Sequence, residues 1–327
     1  MKITILVSAL DANPIVRVYP IAKVLQRHFE VEIIGSHRGR DLFAPYRTEF
    51  NYKSFRYRGI QDFVTTVWPA MLDAISGHVI YAFKPLLMSY VVALHKRRRS
   101  GTPVVLDIED WDAGAFLDLN TAGKLKSLLR VWQPDNMLTR WLVEKMVPRA
   151  DQVVVVSTFL QRRFGGTKLV HGADTCWMDP VRYDQRKMRE KWHLPLDAFI
   201  VLFAGKPVPH KGVIQITQAL DMLRDCKRKP LMLLVGGHQE DPYVRSIVDT
   251  GTGHVIHIGY QPHSLMPEFL AASDCVALPQ LPGHYAQAQV PAKVFEALAM
   301  GKPVVASQVS DLPEIVDGCG LTFEPGD

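Results

Sequence analysis

The sequence has little cysteine and no long apolar run. Its four cysteines, at 176, 226, 275 and 319, lie 44 to 50 residues apart. No pair has the spacing of a metal knuckle or a redox motif, which reads as a reduced, cytoplasmic chain. The opening MKITILVSAL carries one lysine and a short apolar run that Asp11 ends. A secretory leader needs a longer run and a small-residue cleavage site, so this stretch reads as a first buried strand. Pro85 to Leu94, PLLMSYVVAL, is far short of a membrane span, and Lys84 stops its extension backwards. The G-x-x-x-x-G-K-[ST] phosphate loop is absent. Gly251-Thr252-Gly253 precedes a strand pattern instead of following one, with no acidic residue at the ribose position, which excludes a dinucleotide fingerprint. Internal repeats and low-complexity tracts are also missing.

At 327 residues, with 47% hydrophobic and 22% charged residues, the chain has the length of two globular domains. Its net charge of +5 is unevenly placed. Residues 1–168 hold 24 Lys and Arg against 15 Asp and Glu, a balance of +9. The rest holds 14 against 18, a balance of −4. A basic first half suggests a membrane surface or an acidic partner there.

Strand and helix patterns alternate through both halves, which predicts α/β domains with parallel sheets. In the first half, strands are expected at Ile3–Ser8, Val31–Ile34, Val79–Ala82, Val104–Ile108 and Val153–Ser157. Helices are expected at Ile15–His28, Gln61–Ile75, Leu86–Arg99 and Lys124–Pro148, while Arg38 to Tyr57 has no clear pattern. The apolar 85–94 stretch followed by Lys96-Arg97-Arg98-Arg99 reads as a core helix with a solvated basic end, or as a peripheral membrane contact. Asp110-Trp111-Asp112 follows a strand end, where α/β proteins place ligands. It has three readings: a metal-holding D-x-D, a residue lining the cleft, or a plain loop acid.

The second half centres on Val290 to Ser307, VPAKVFEALAMGKPVVAS. Pro291 suits a first helical position, Gly301 a left-handed stop, and Val304-Val305 a buried strand. A helix start with Lys293 beside it suits a phosphate. Glu296, on the same face, reads as an acceptor for two ribose hydroxyls or as a surface acid. Some eighty residues earlier, the buried-strand run FIVLFAG ends at Gly205 and meets Lys206, a short loop, then Lys211-Gly212 and a helix. That too points positive charge at an anion, although each lysine taken alone reads as surface.

Taken together, G-K-x-x-x-x-K-G at 205–212, P-x-K-x-x-E-A-x-A-x-G-K-P-V-V-A-S at 291–307 and D-L-P-E-I-V at 311–316 resemble the donor domain of the family 4 (group 1) retaining nucleotide-sugar glycosyltransferases. LVHGADTCWMDP at 169–180 is similar to another segment of that family, with His171 where Asn is usual. The resemblance implies the GT-B fold, two facing Rossmann-like domains: an acceptor-side domain at 1–168 and a nucleotide-sugar domain at 169–327. It implies transfer of a sugar from a nucleoside diphosphate to an acceptor hydroxyl, with retention, in glycan or glycolipid synthesis. The donor would be held by Gly205, Lys206, Lys211, Val290, Pro291, Lys293 and Glu296, with Asp110 and Lys211 serving the chemistry. No metal or other cofactor is implied beyond the nucleotide-sugar substrate. The partners implied are that donor and a lipid-linked or anionic acceptor, with an anionic membrane surface nearby and no nucleic acid.

Three departures from the family are visible. Lys206 stands where Arg is more usual, which keeps the charge and loses a bidentate fork. Ala288 stands where a sugar-contacting Glu is common, eight residues before Glu296, so sugar contacts fall to backbone N–H groups or to Gln287 and Gln289. The family continues past the position of Asp327 with further helices, so a truncated donor domain is expected. Two rival functions remain at this point. A GT-B epimerase or hydrolase would need cleft carboxylates or a histidine for acid–base work. A non-catalytic sugar-nucleotide binder would need neither.

Overall fold

The computed structural model describes residues 1–327 except Arg40, Ala44, Pro45, Arg224 and Asp327. Three of these fall in the stretch 38–57 that the sequence leaves unassigned. The chain forms two compact units. The first comprises Met1–His171 together with Gln287–Val290; the second comprises Gly172–Ala286 and Pro291–Asp327.

The first unit is built on a seven-stranded parallel sheet in the order β3-β2-β1-β4-β5-β6-β7. Its strands are β1 (Lys2–Val7), β2 (Glu30–His37), β3 (Tyr52–Arg56), β4 (Val79–Phe83), β5 (Val104–Ile108), β6 (Gln152–Val155) and β7 (Thr167–Lys168). The first strand lies between two others, Ile3 pairing with Val31 on one side and Val79 on the other. A strand covered on both faces is buried throughout, which is why ITILV reads as an apolar run, broken only by Thr4, whose buried hydroxyl donates to Glu32. Edge strand β3, YKSFR, is mostly exposed and does not alternate, so its signal was too weak to read from the sequence.

The second unit repeats the plan with six parallel strands in the order β10-β9-β8-β11-β12-β13. These are β8 (Phe199–Ala204), β9 (Pro230–Val235), β10 (Val255–Ile258), β11 (Cys275–Leu278), β12 (Val304–Ser307) and β13 (Gly320–Phe323). In both sheets the order reverses after the first strand of the unit, and doubly wound folds take their ligands at the carboxyl ends of the strands there.

Of three helical expectations, the first holds with a π-turn inside it and the other two need correction. The 61–75 pattern forms a helical run from Ile60 to Ala74 with a π-turn over Phe63–Val67. Pro69 follows that turn, and widening it relieves the clash between a proline ring and the preceding turn. The 124–148 pattern is two helices, Thr121–Leu128 and Met137–Glu144. Pro134 interrupts it, and Asn136 caps the second helix by accepting from the Thr139 N–H at 3.1 Å. Pro291 is not the first helical residue but the one before it, extended at ψ 128°, with the helix running Ala292–Ala299.

The basic segment packs into the first unit through its apolar half, an arrangement common to both readings of it. Met88, Ser89, Tyr90, Val92 and Ala93 are buried, and Arg98 and Arg99 extend into solvent at the helix end. Gly101 closes that helix at φ 72°. Among the described residues, no helix is long and apolar enough to cross a membrane.

Candidate functional site

In the second unit, the first turn after β8 is built around a glycine. Gly205 has φ +114°, and a Cβ there would lie 2.9 Å from the Lys293 Cε and 3.0 Å from its Nζ. Only a residue without a side chain lets the lysine cross this turn. The Lys293 ammonium lies 5.3 Å from the Phe203 ring centre, against the negative face of the ring. Burial lowers its pKa, while the neighbouring Glu296 charge opposes that shift.

Lys206 follows, exposed, and its carbonyl accepts from the Lys211 ammonium at 3.1 Å. That bond ties the ends of the loop together and brings the second lysine back over the first. Gly212 is left-handed at φ +64°, with the Pro279 carbonyl 1.8 Å from where a Cβ would stand. Any side chain there would expel the loop, which fixes the GK…KG spacing in physical terms.

The helix Ala292–Ala299 starts beside this turn without a side-chain cap from Pro291. Its first N–H groups have no partner within the helix and carry the positive end of the dipole. One turn in, the Glu296 carboxylate meets the His263 Nε2 at 2.7 Å. His263 is buried, and its ring lies tilted against Trp177 with the ring centres 5.1 Å apart. The sequence reading missed His263. It precedes an ordinary amphipathic helix, and only the fold brings it to Glu296. Gly205, Lys206, Lys211, Pro291, Lys293 and Glu296 therefore share one end of the second sheet, while Val290 is buried and belongs to the first unit.

In the first unit, the carboxyl ends of β4 and β5 gather buried charge. The Arg17 guanidinium bonds Asp107 at 2.9 Å, with both side chains almost fully buried. Asp107 also accepts from the Tyr81 hydroxyl, and Arg17 donates to the Leu169 carbonyl at 2.9 Å. Burial pushes the Asp107 carboxyl up, and Arg17 pulls against it. Lys84, at a left-handed φ of 67°, forms a tight ion pair with Asp110 and lies 3.5 Å from Asp112. Buried, strained, charged side chains at strand ends are a recurrent mark of function.

Asp110 also accepts from the Gln289 amide at 2.8 Å. The Ala288 carbonyl accepts from the buried Ser157 hydroxyl at 2.8 Å. These bonds explain why the segment 287–290 packs with the first unit. Glu109 is pushed up to about 8, first by burial and then by the adjacent Asp110 charge. His171, whose Nε2 is 3.5 Å from the Glu109 carboxylate, is lowered to about 3 by burial and by Arg17. Both carboxylates of Asp110-Trp111-Asp112 thus face a lysine, and among the described residues no cluster of His, Cys, Asp and Glu has the arrangement of a metal site.

Residues 184–327 match the family model described as glycosyl transferases group 1. The O-antigen chain mannosyltransferase B of Escherichia coli is 30% identical over 180 residues, which is 54% of this chain and 45% of that protein. The N,N'-diacetylbacillosaminyl-diphospho-undecaprenol alpha-1,3-N-acetylgalactosaminyltransferase of Campylobacter jejuni is 30% identical over 139 residues, 42% of this chain and 34% of that one. The chain spans about half the length of the curated relatives it matches. Among solved structures, Anabaena Alr3699/HepE in complex with UDP-glucose aligns over 100% of this chain and 86% of its own, with a TM-score of 0.73 at 19% identity. That likeness extends the shared fold, two Rossmann-like α/β domains of the GT-B kind, over the whole chain. The family match covers the part of the chain that carries the lysine turn and Glu296, so residues 184–327 are similar to the group 1 glycosyl transferases.

Proposed function

We propose that the chain transfers a sugar from a nucleoside diphosphate sugar to an acceptor hydroxyl, with retention at the anomeric carbon. The observation that carries this reading is the turn after β8, where Gly205 and Gly212 let Lys293 and Lys211 converge beside an uncapped helix start. Such a turn suits a diphosphate, because the charge that grows during transfer is on the leaving group and fixed cations facing it lower the barrier.

In this reading Lys206, Lys211 and Lys293 hold the diphosphate, and the first N–H groups of the helix add to them. Glu296 accepts the two ribose hydroxyls, held in place by His263. The bond from the anomeric carbon to the phosphate oxygen breaks, and a bond to the acceptor oxygen forms on the same face. The proton of the acceptor hydroxyl passes to the departing phosphate. Asp110, held by Lys84 and Gln289, lies on the acceptor side. No metal is required, because lysines supply the charge.

The acceptor is proposed to be lipid-linked or otherwise anionic. The +9 balance of residues 1–168 supports this, as does the diphospho-undecaprenol in the name of the Campylobacter relative. Arg97, Arg98 and Arg99 line an open basic groove with Trp68, His95 and Arg149, and would draw the first unit to an anionic leaflet from the cytoplasmic side.

The test is product analysis with a panel of nucleoside diphosphate sugars, with and without a lipid diphosphate acceptor, in EDTA and in Mn²⁺. Glycosylated acceptor of retained anomeric configuration, formed equally in EDTA, is the expected result. Release of free sugar without acceptor would instead establish a hydrolase. Transfer that needs Mn²⁺ would return Asp110-Trp111-Asp112 to a metal role.

A further inference from the structure

Of the twenty large hydrophobic side chains exposed among the described residues, ten lie between Leu117 and Leu142. Isolated exposed apolar side chains are ordinary, but a cluster of this kind marks a contact surface. Leu125, Leu128, Leu129, Val131, Trp132 and Trp141 are each 48–61% exposed. They occupy the helices Thr121–Leu128 and Met137–Glu144, which pack on one another, and the turn between them.

This hairpin is held firmly from beneath. The Trp132 carbonyl accepts from the Ile60 N–H at 3.0 Å. The Asp135 carboxylate accepts from the Leu87 N–H at 2.9 Å, and the Asn136 amide donates to the Gln133 carbonyl at 2.8 Å. Its polar backbone thus faces the unit while its large side chains face out.

Apart from Asp118, the exposed charge of the hairpin and of the helix end that follows it is positive. Lys126, Arg130 and Lys145 are exposed and Lys124 half-buried, and the Lys145 ammonium sits 3.5 Å over the Trp141 ring. The acidic side chains of the second helix and its approach are engaged inward: Asp135 by Leu87, Glu144 by Trp111 and Arg163. Leucines with tryptophans and a lysine–arginine rim form the composition that settles at the boundary between headgroups and acyl chains. A second copy of this chain is a poorer occupant, since a two-fold contact would set Lys124, Lys126 and Arg130 against their own images.

We infer that the 117–142 hairpin is a membrane-docking element whose leucines and tryptophans enter the surface of an anionic bilayer. It rests on the membrane part of the reading above and deepens it. There, arginines attract the leaflet from outside; here, apolar side chains enter it. The difference is measurable, because insertion survives salt and pure attraction does not.

The test is co-sedimentation of the 327-residue chain with phosphatidylcholine vesicles and with phosphatidylcholine–phosphatidylglycerol vesicles, at low and high salt. No step needs transfer activity, so failure here leaves the transfer reading standing, and the reverse. Expected are binding to the mixed vesicles that persists in high salt, and a loss of about tenfold or more in the Leu129→Ser/Trp132→Ser double variant. Lys124→Glu/Lys126→Glu is expected to weaken binding to mixed vesicles at low salt and to matter little at high salt, and Arg98→Ala/Arg99→Ala to weaken it less than the apolar pair does. All these side chains are at the surface, and an unchanged thermal midpoint checks that each variant is folded. Full binding by the folded Leu129→Ser/Trp132→Ser variant, or binding abolished by salt, overturns the inference. So does a lipid-free dimer that Leu128→Glu dissociates, because the second copy would then be the occupant.

Discussion

The two units handle charge in opposite ways. In the first, buried cations at the strand ends are closed by carboxylates of the same unit, Arg17 by Asp107 and Lys84 by Asp110 and Asp112. In the second, the cations at the equivalent strand end rest on a carbonyl and an aromatic ring, Lys211 on Lys206 and Lys293 over Phe203. A cation neutralised inside the fold spends its charge on holding strands and loops. A cation whose described bonds are to a carbonyl or a ring is not locked into a buried ion pair of the kind Arg17 makes with Asp107. The difference predicts that mutations at the first site register in stability and mutations at the second in binding.

The largest effect is expected at the buried ion pair. Asp107→Ala leaves the Arg17 guanidinium uncompensated and is expected to cost about 3–5 kcal/mol of stability. Urea unfolding followed by tryptophan fluorescence measures it. A cost under about 1 kcal/mol, the range of surface pairs, would break the comparison on its first side.

On the second side, Lys211→Ala is expected to weaken binding of a nucleoside diphosphate by about 1.5–3 kcal/mol, the scale of a hydrogen bond to a charged group. The thermal midpoint is expected to stay in place. Lys206→Ala, at an exposed position, is expected to lose less. Calorimetry on both variants decides; an unaltered affinity in folded Lys211→Ala would remove the diphosphate from this turn.

Gly205→Ala tests whether the turn is shaped by the lysine that crosses it. A methyl group there meets Lys293 and a φ of +114°, and the strain is expected to cost about 1–3 kcal/mol. Nucleoside diphosphate affinity is expected to fall as well, because Lys293 must move. Crystals of the variant with Lys293 unmoved would show that the glycine serves the backbone alone.

The last effect is a slope, small at each pH step. Glu109, raised from 4.5 to about 8, is protonated in the folded chain at pH values where the unfolded chain is ionised. Its contribution is complete below about pH 4.5 and is lost as pH rises toward 8. Stability of the first unit is therefore expected to fall by up to ~1.4 kcal/mol per pH unit between pH 6.5 and 8. Glu109→Gln is expected to flatten that limb, as read by unfolding across the range. His171 acts in the other direction: lowered to about 3, it costs stability as pH falls below 6.5, outside this window.

Much of the fold was legible in the sequence. Apolar runs such as 199–204 and 304–306 carry enough burial on both faces to announce parallel strands, and their spacing announced the alternation. The edge strand 52–56 was not legible, because an exposed strand needs no apolar run. Nor was the break at Pro134 inside an otherwise helical pattern, since the hydrophobic residues on either side keep helical spacing while facing solvent. In the second unit, the GK…KG turn and the P-x-K-x-x-E helix were readable, because positive-φ glycines and helix starts are local matters.

By itself, then, the sequence determined what neighbours along the chain can fix: which runs are buried, where glycine must stand, and which lysines flank a helix start. Only the tertiary structure decided the pairings between distant positions. His263 meets Glu296 across 33 residues, Arg17 meets Asp107 across 90, and Gln289 meets Asp110 across 179. It also decided that the apolar side of 117–142 faces outward. Periodicity states that a helix has an apolar face, but which surface covers that face depends on what else the fold brings to it, and here no other part of the unit buries those side chains.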